Sequence, residues 1–431
     1  MFTILAFFAA GCSVTGASSR NTELAPTLNQ AQVAADTPVV AANDTSEKEL
    51  MDSLLLHTEK KGKSWEKKNR YSMSLVLPFS TDESELEKLM LQENITGYQP
   101  LAALEFYEGA LMALDTLDSL GVALDVHVFN HFKDSSLTAA LFSTPEIRSS
   151  DVIIGPVFNE GLKAAAAVAC KQEAFLISPL SPNHQFTDSN RFFLMSNPEA
   201  SVQLRAMLKE VRAVYPSANI ICVYRNDKPA EVKLASEFKQ AFTISAAGSG
   251  MQLKEVYNYT GIIDALAAND NFVFIASFDE LHSNGLIRDL SKASREKPIT
   301  LLGLPHMLSY ESVSIDYYEN LHFTYPTSYY ADRLSPRVKS FQEGFSSRFQ
   351  TRPSDFACRG YDLVLYAGLM LQTYGPDLGA SAGKGNPAEK YMLYPLRFAA
   401  KTDAAGTIQF YENSAITILR FDQFRFEKMG Q

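Results

Sequence analysis

The sequence predicts an α/β protein whose parallel sheets are covered by helices on both faces. Its predicted strands are short and apolar along their whole length, as at 151–154 and 174–177. Helical segments with apolar residues spaced three and four apart alternate with these strands. Continuous apolar strands are typical of parallel sheets buried on both faces. The strand–helix succession resumes after about residue 196, which predicts a second unit of the same kind.

The first unit begins at residue 71. A strand at 71–78 ends in a loop at Phe79 and Ser80, and a helix follows with apolar residues from Leu104 to Leu117. Gly121 ends this helix, and the alternation over 122–128 has the period of a strand. Two buried strands then enclose a helix. They are predicted at 151–154 and 174–177, with the helix at 160–171, and a further strand at 192–194.

The second unit repeats this pattern with a helix first. We predict helices at 199–214, 230–243 and 281–293, and strands at 219–224, 253–257, 272–276, 299–303 and 321–325. Two later helices, at 335–350 and 357–374, precede a glycine-rich loop at 379–385. The stretch 406–426 alternates like antiparallel strands.

Length and composition narrow the class of protein. The chain has 431 residues, enough for about two to three domains, and 46% hydrophobic residues, which excludes bulk disorder. Its net charge of −10 disfavours binding to nucleic acid. No apolar run reaches the roughly 20 residues of a membrane helix.

The first twelve residues have the pattern of a secretory leader that ends at a cysteine. A short apolar run, 2–10, is followed by Gly11 and Cys12, and this resembles the lipobox of bacterial lipoproteins. The resemblance implies that residues 1–11 are removed and that Cys12 carries the lipid anchor. No positive charge precedes Cys12, although secretory signals carry one, so we expect the true start to lie upstream. The alternative is an ordinary leader with an incidental cysteine.

Residues 12–69 are predicted to comprise the lipidated cysteine and a flexible tether. The segment is rich in Ser, Thr, Asn, Ala and Pro and ends in a basic stretch at 60–68. A linker of this length spans roughly 40 Å. The basic stretch is interpreted as a solvated linker end, with contact to anionic lipid heads as the alternative.

The other cysteines, Cys170, Cys222 and Cys358, are predicted to be buried small hydrophobic residues. No CxxC motif accompanies them. A single disulfide among the three stays open at this point.

The order of the elements resembles the type I periplasmic binding-protein superfamily, in particular its branched-chain amino-acid-binding branch. The resemblance covers about 70–431. It rests on 106–114 of the first helix, on Asp-Val-Ile-Ile-Gly-Pro-Val at 151–157, on Leu-Ile-Ser-Pro at 176–179, and on Phe341, Phe345 and Phe349 followed by Gly-Tyr-Asp at 360–362.

The resemblance implies two Rossmann-like lobes joined by three hinge crossovers. Lobe one is predicted at about 70–193 and 327–400, and lobe two at about 196–322 and 403–431. The crossovers are predicted near 194, 324 and 402. In this superfamily a ligand binds between the lobes, where the carboxyl ends of the parallel strands face it, and hinge closure buries it.

Candidate ligand-binding residues follow from the strand ends. They are Phe79, Ser80, Asn159, Ser178 and Ser181 in lobe one, Tyr224, Phe278 and His306 in lobe two, and Tyr325 at a crossover.

Two features depart from the amino-acid binders of the superfamily. Pro182 lacks the hydroxyl and the N–H expected at its place. No Asp or Glu follows the strand at 299–303 until Glu311, although a buried ammonium needs an acidic partner. We therefore expect a ligand other than a free α-amino acid. His306 would recognise an anion if protonated, the alternative being a loop histidine with no such role.

No catalytic signature is present. The sequence has no HExxH, GxSxG or Walker loop, and its seven histidines show no metal-ligand spacing. We therefore predict no catalytic residue, metal site or cofactor.

The leading hypothesis is a lipid-anchored, non-enzymatic solute-binding protein of the cell envelope. It would capture a small ligand and present it to a membrane partner, such as an ABC permease. The alternative is an envelope scaffold or regulator that docks on a cell-wall enzyme or another protein through the same fold.

Overall fold

The computed structural model describes residues 67–79, 99–131, 135–157, 159–184, 190–378 and 385–430. The predictions for Cys12, for residues 1–66 of the leader and tether, for Ser80 and for most of the glycine-rich loop lie outside these ranges.

The described chain opens with the elements of the first lobe. They are β1 (Tyr71–Leu77), α1 (Gln99–Ser119), β2 (Leu124–Asn130), α2 (Ser135–Phe142), α3 (Pro145–Ser149), β3 (Val152–Ile154), α4 (Asn159–Gln172), β4 (Phe175–Ser178) and β5 (Phe193–Met195).

The second lobe follows. Its elements are α5 (Ala200–Val214), β6 (Asn219–Val223), α6 (Pro229–Ser245), β7 (Gln252–Val256), α7 (Tyr259–Ala265), β8 (Asn271–Ile275), α8 (Glu280–Ala293), β9 (Ile299–Leu302), a 3₁₀ turn (Pro305–Ser309), α9 (Ile315–Asn320) and β10 (Thr324–Thr327).

The chain then returns to lobe one and crosses once more. The returning elements are α10 (Pro336–Phe349), α11 (Asp355–Tyr374), β11 (Phe398–Thr402) and β12 (Ile408–Asn413). The last two strands, β13 (Thr417–Asp422) and β14 (Arg425–Lys428), belong to lobe two.

Each lobe is built on a mostly parallel sheet of seven strands. Lobe one has the order β11-β12-β5-β4-β3-β1-β2, and lobe two has β14-β13-β10-β9-β8-β6-β7. The strands β5-β4-β3-β1-β2 of lobe one and β10-β9-β8-β6-β7 of lobe two therefore follow the same doubly wound order. The predicted fold class, two Rossmann-like lobes, is confirmed.

Helices cover both faces of each sheet, as the apolar strands predicted. In β1, Leu75 and Leu77 pack into the core beneath α1, α10 and α11, whereas Val76 packs with Leu162 of α4 on the opposite face. In lobe two, residues of β6 and β8 are divided in the same way between two cores.

A close helix crossing holds the lobe-one core together. A Cβ added at Gly109 of α1 would lie 1.8 Å from the carbonyl oxygen of Ala357, and one at Gly360 of α11 would lie 1.9 Å from that of Phe106. The two backbones thus touch where neither helix has a side chain. These glycines explain two of the sequence motifs that carried the resemblance.

All three crossovers leave from the same edge of the sheets. The chain crosses at 196–199 after β5, at 328–335 after β10 and at 414–416 between β12 and β13. Strands β5, β10 and β12 all run with the parallel strands of their sheets, so each crossing begins at a carboxyl end. The carboxyl ends in both lobes therefore face the crossovers.

The predicted position of the third crossover, near 402, is wrong. Strand β12 stays in lobe one and pairs in parallel with β5, with Tyr411 opposite Leu194. Its last residues are tied to the first crossover, because Glu412 accepts a hydrogen bond from the Glu199 N–H at 2.7 Å and Asn413 donates one to the Ser196 carbonyl at 3.2 Å. The assignment of 403–413 to lobe two is corrected accordingly.

Candidate functional site

The doubly wound order places one switch point in each lobe. The strand order reverses between β1 and β3 in lobe one and between β6 and β8 in lobe two. In open α/β sheets, ligands bind outside the carboxyl ends at such points. Gly155 follows β3 with a φ of 95°, and a Cβ there would lie 2.1 Å from the carbonyl oxygen of Val76, so the two strand ends meet backbone to backbone.

The predicted lobe-one residues are mostly turned into the protein. Phe79 packs edge-on against Tyr107 of α1, with ring centroids 5.7 Å apart, and its N–H donates to the Asn130 side chain at 2.9 Å. Ser178 and Ser181 are both buried, and the Ser178 hydroxyl donates to the Ser181 carbonyl at 3.2 Å. The side chain of Asn159, at the start of α4, lies outside the described residues.

The predicted lobe-two residues include one exposed ring. Phe278 is 55% exposed, and its ring centroid lies 4.6 Å from that of His306. Tyr224 turns toward β7, where its hydroxyl donates to Glu255 at 3.1 Å. Phe278 is thus the predicted residue in lobe two that offers the most open apolar surface.

His306 is buried and neutral. Its Nε2 lies 3.2 Å from the Ser277 carbonyl oxygen, to which it donates as the Nε2–H tautomer. Burial lowers the pKa of His306 to about 4. The imidazole therefore carries no charge near pH 7, and the hypothesis that it recognises an anion through a positive charge loses its basis.

An ion network absent from the prediction lies behind the lobe-two switch point. The carboxylate of Glu231, on α6, is buried and accepts hydrogen bonds from the Arg225 N–H at 2.8 Å, from the Arg225 guanidinium and from the Ser277 hydroxyl at 2.7 Å. Arg225 also pairs with Asp279 at 3.1 Å. We call Arg225, Glu231, Ser277 and Asp279 the Glu231 network.

Both carboxylates of the Glu231 network are ion-paired with Arg225. Burial alone would raise the pKa of Glu231, but the hydrogen bonds from Arg225 and Ser277 outweigh it and lower that pKa. The hydrogen bond from the backbone N–H of His282 lowers the pKa of Asp279, burial opposes the shift, and Arg225 adds to it. Both carboxylates are therefore ionised at neutral pH and already hold a cation of the protein.

Tyr325 lies in the core of lobe two rather than in an open position. It is 2% exposed and packs against Phe323 and Phe426, with centroid distances of 5.5 Å and 5.2 Å. Burial, and after it the charge of Asp355, raises its pKa. Asp355 is the first residue of α11 in lobe one.

A second group missed by the prediction surrounds Tyr329 in the second crossover. The Tyr329 hydroxyl donates to the Pro179 carbonyl at 3.2 Å and lies 3.3 Å from the hydroxyl of Ser196 in the first crossover. The guanidinium carbon of Arg359 lies 3.7 Å from the Tyr329 ring centroid, and the ring of Tyr394 lies edge-on at 5.5 Å. We call Ser196, Tyr329, Arg359 and Tyr394 the Tyr329 cluster.

The part of the chain that the structure describes holds no group of three metal-ligating side chains, and none of its helices is long and apolar enough to cross a membrane. Cys170, Cys222 and Cys358 are free thiols, the first partly and the others fully buried.

Comparison with known proteins places the fold. No family model matches the chain, and no curated protein matches it. Among solved structures, a putative branched-chain amino acid ABC transporter from Rhodospirillum rubrum is similar, with a TM-score of 0.57 and 14% identity over 83% of this chain and 99% of its own. An ABC transporter substrate-binding protein from Desulfitobacterium hafniense has a TM-score of 0.54 and 16% identity, with coverages of 83% and 99%.

The chain has the type I periplasmic binding-protein fold. A third similar structure, an ABC-type branched-chain amino acid transporter from Rhodopseudomonas palustris, agrees with this, with a TM-score of 0.54 and 16% identity over 83% of this chain and 97% of its own. The resemblance drawn from the sequence is thereby confirmed for the fold.

Proposed function

We propose that this chain is a solute-binding protein that captures a small ligand between its lobes and presents it to a membrane partner of the ABC permease type. The observation that carries the proposal is the position of the two switch points. Both lie at carboxyl edges that face the three crossovers. The similarity to the ABC transporter substrate-binding protein from Desulfitobacterium hafniense supports the same function.

The mechanism we propose is hinge closure. Three short crossovers at 196–199, 328–335 and 414–416 join the lobes, and hinges consist of a few such residues that absorb the change in backbone angles. A ligand that contacts both lobes would favour the closed form by its difference in affinity for the two forms.

A free α-amino acid fits the lobe-two side poorly. Its ammonium would need an acidic partner, but Glu231 and Asp279 are both paired with Arg225. Recruiting either acid would take a partner from Arg225, and the carboxylate of Glu231 is buried, where breaking an ion pair costs several kcal/mol. A ligand without an ammonium group avoids that cost.

The test is thermal unfolding of the full chain against amino acids, short peptides, nucleosides, sugars, organic acids and wall fragments. A compound present at 100 times its Kd adds about 2.7 kcal/mol and raises the midpoint by roughly 3–4 °C. Stabilisation by one chemical class supports the proposal. A folded chain stabilised by no compound would count against it and favour the scaffold alternative, which the burial of Ser178 and Ser181 also favours.

We further propose a lipid anchor on Cys12 and a location in the cell envelope. The support is the apolar run before Gly11-Cys12 and the Ser- and Thr-rich stretch after it. Acylation adds about 0.8 kcal/mol of membrane affinity per buried CH₂, so Cys12→Ala should move the protein from the membrane to the soluble fraction. Persistent membrane attachment of this variant, with Cys170→Ala as the matched control, would contradict the anchor.

A further inference from the structure

Arg359 is a buried cation with no anionic partner among the described residues. It stands in the second turn of α11 and is 3% exposed. Its Nε is inaccessible and makes no hydrogen bond. The carboxyl of Asp355, one turn earlier, makes no ion pair with it within 4.0 Å. Burying a charge without a hydrogen-bonded partner is costly, so the position of Arg359 calls for an explanation.

A second buried donor in the same cluster also lacks a partner. Tyr394 is 3% exposed, and its hydroxyl makes no hydrogen bond to the described residues. Arg359 and Tyr394 both pack on the ring of Tyr329, at 3.7 Å and 5.5 Å. Two donors that pack on the same ring therefore have unused hydrogen-bonding capacity. A negatively charged group with several acceptor atoms, such as a carboxylate, would accept hydrogen bonds from them.

The surroundings of the Tyr329 cluster connect it to the crossovers. The Tyr329 hydroxyl bonds to the loop after β4 through Pro179 and lies beside Ser196, whose hydroxyl donates to the Ser178 carbonyl at 2.7 Å. The terminal nitrogens of Arg359, which also make no hydrogen bond to the described residues, retain the small solvent access of its side chain. Since Tyr329 lies in the second crossover and Ser196 in the first, the Tyr329 cluster stands where the two lobes are joined.

We propose that Arg359, assisted by Tyr394, anchors the carboxylate of a small organic acid in the interlobe site. The proposal rests on the proposed solute-binding function and names the ligand class. The guanidinium would donate to the carboxylate oxygens while its face remains stacked on Tyr329. Asp355 opposes an anion through its own charge, but burial raises its pKa and so favours its neutral form.

The test compares each acid with its uncharged analogue. The probes are isovalerate with isovaleramide and phenylacetate with phenylacetamide, titrated calorimetrically into the full chain. We expect each acid to bind at least about tenfold more tightly than its amide. In Arg359→Gln the Kd of the amide divided by the Kd of the acid should fall to about one. In Tyr394→Phe this ratio should fall several-fold.

Controls separate a binding role from a structural one. Arg348→Gln removes an exposed arginine of the same lobe and should leave the ratio unchanged. If Arg359→Gln does not fold, Arg359→Lys keeps a charge but loses the planar fork, and the ratio should fall several-fold. Equal binding of acids and amides, no binding of either acid, or an unchanged ratio in both Arg359 variants would each overturn the inference. Stabilisation by uncharged solutes in that case would leave the solute-binding proposal standing.

Discussion

Phe278 is the predicted site residue whose structure best suits contact with a ligand. It is 55% exposed at the carboxyl end of β8, and its ring rests on the buried, neutral imidazole of His306. An exposed ring that already packs on a neighbouring ring can contact a ligand without first being ordered, which lowers the entropy cost of binding.

We predict that Phe278→Ala weakens binding of a stabilising ligand by roughly 5- to 10-fold, since a lost aromatic contact costs about 1 kcal/mol. The unliganded midpoint should change little, because the ring is largely exposed. Calorimetric titration measures the Kd. Phe424→Ala is the matched control, since Phe424 is 48% exposed in the β13–β14 turn. Equal Kd values for the wild type and Phe278→Ala would remove Phe278 from the site.

A pH-sensitive pair joins the loop after β4 to the first crossover. The Nδ1 of His184 lies 2.8 Å from a carboxylate oxygen of Glu199. This hydrogen bond raises the pKa of His184 above its ordinary value of 6.5; burial opposes the shift, the charge of Glu412 adds to it and Lys401 counters it. Burial alone would raise the pKa of Glu199, but His184 and Lys401 lower it below 4.5.

The signs of these shifts define a pH window. The contribution of His184 to the stability of the fold is complete below pH 6.5 and is lost as the pH rises through the raised pKa of His184. The Glu199 contribution is complete above pH 4.5 and is lost as the pH falls through its lowered pKa. The pair therefore stabilises the fold most between about pH 4.5 and 6.5.

We predict that an NMR titration finds the His184 midpoint above 6.5 and that Glu199→Gln lowers it. His282, whose pKa burial lowers, is the internal reference and should titrate below 6.5 in both proteins. An unchanged His184 midpoint in Glu199→Gln would show that this pair does not set the shift.

The sequence predicted where the strands end better than it predicted the orientation of the side chains that follow them. Apolar runs mark where strands end, so Phe79, Tyr224 and Phe278 were placed correctly at carboxyl ends. The burial of Ser178, Ser181 and Tyr325 depends on packing against distant loops and strands, which no local pattern encodes. Arg359 comes to the crossovers on a helix some 180 residues after β4 in the sequence, so only the tertiary structure reveals it.

At the scale of elements, the crossing of α1 and α11 depends on two glycines. A methyl group at Gly109 or Gly360 would overlap a backbone carbonyl of the other helix, which cannot move without separating the helices. We predict that Gly109→Ala or Gly360→Ala destabilises lobe one by about 3 kcal/mol, as overpacking does. Urea unfolding measures the loss.

Gly285→Ala is the matched control for this prediction. Gly285 lies inside α8, and a Cβ there would meet no atom within 4 Å. Since alanine favours a helix interior over glycine, this change should stabilise by up to about 1 kcal/mol. Equal effects at Gly109 and Gly285 would contradict the close crossing.

The helices that were not predicted from the sequence are short or begin with polar residues. Helices α3 and α7 have five and seven residues, too few for a three-to-four spacing to be recognised. The strand predicted at 321–325 begins later, at Thr324, because α9 reaches Asn320 and Leu321 is its C-cap. Long elements such as α1 and α11 were predicted close to their observed bounds, since they show several periods.

At the scale of the whole molecule, repetition within the sequence predicted the two lobes, and the resemblance predicted three crossovers. Alternation alone could not predict that β12 belongs to lobe one. Alternating strands of this kind could be added at the edge of either sheet. The side chains of Glu412 and Asn413, bonded to the first crossover, fix β12 in lobe one.

The measurement that tests the account most directly is hydrogen–deuterium exchange of the full chain with and without the most stabilising compound of the panel. We predict slower exchange at strand ends of both lobes together, at 155–157 and 179–184 in lobe one and at 224–226 and 276–279 in lobe two. Amides on the outer surface, as in β14, serve as the reference and should not change. Protection confined to one lobe, or absent from all four segments, would contradict ligand capture between the lobes.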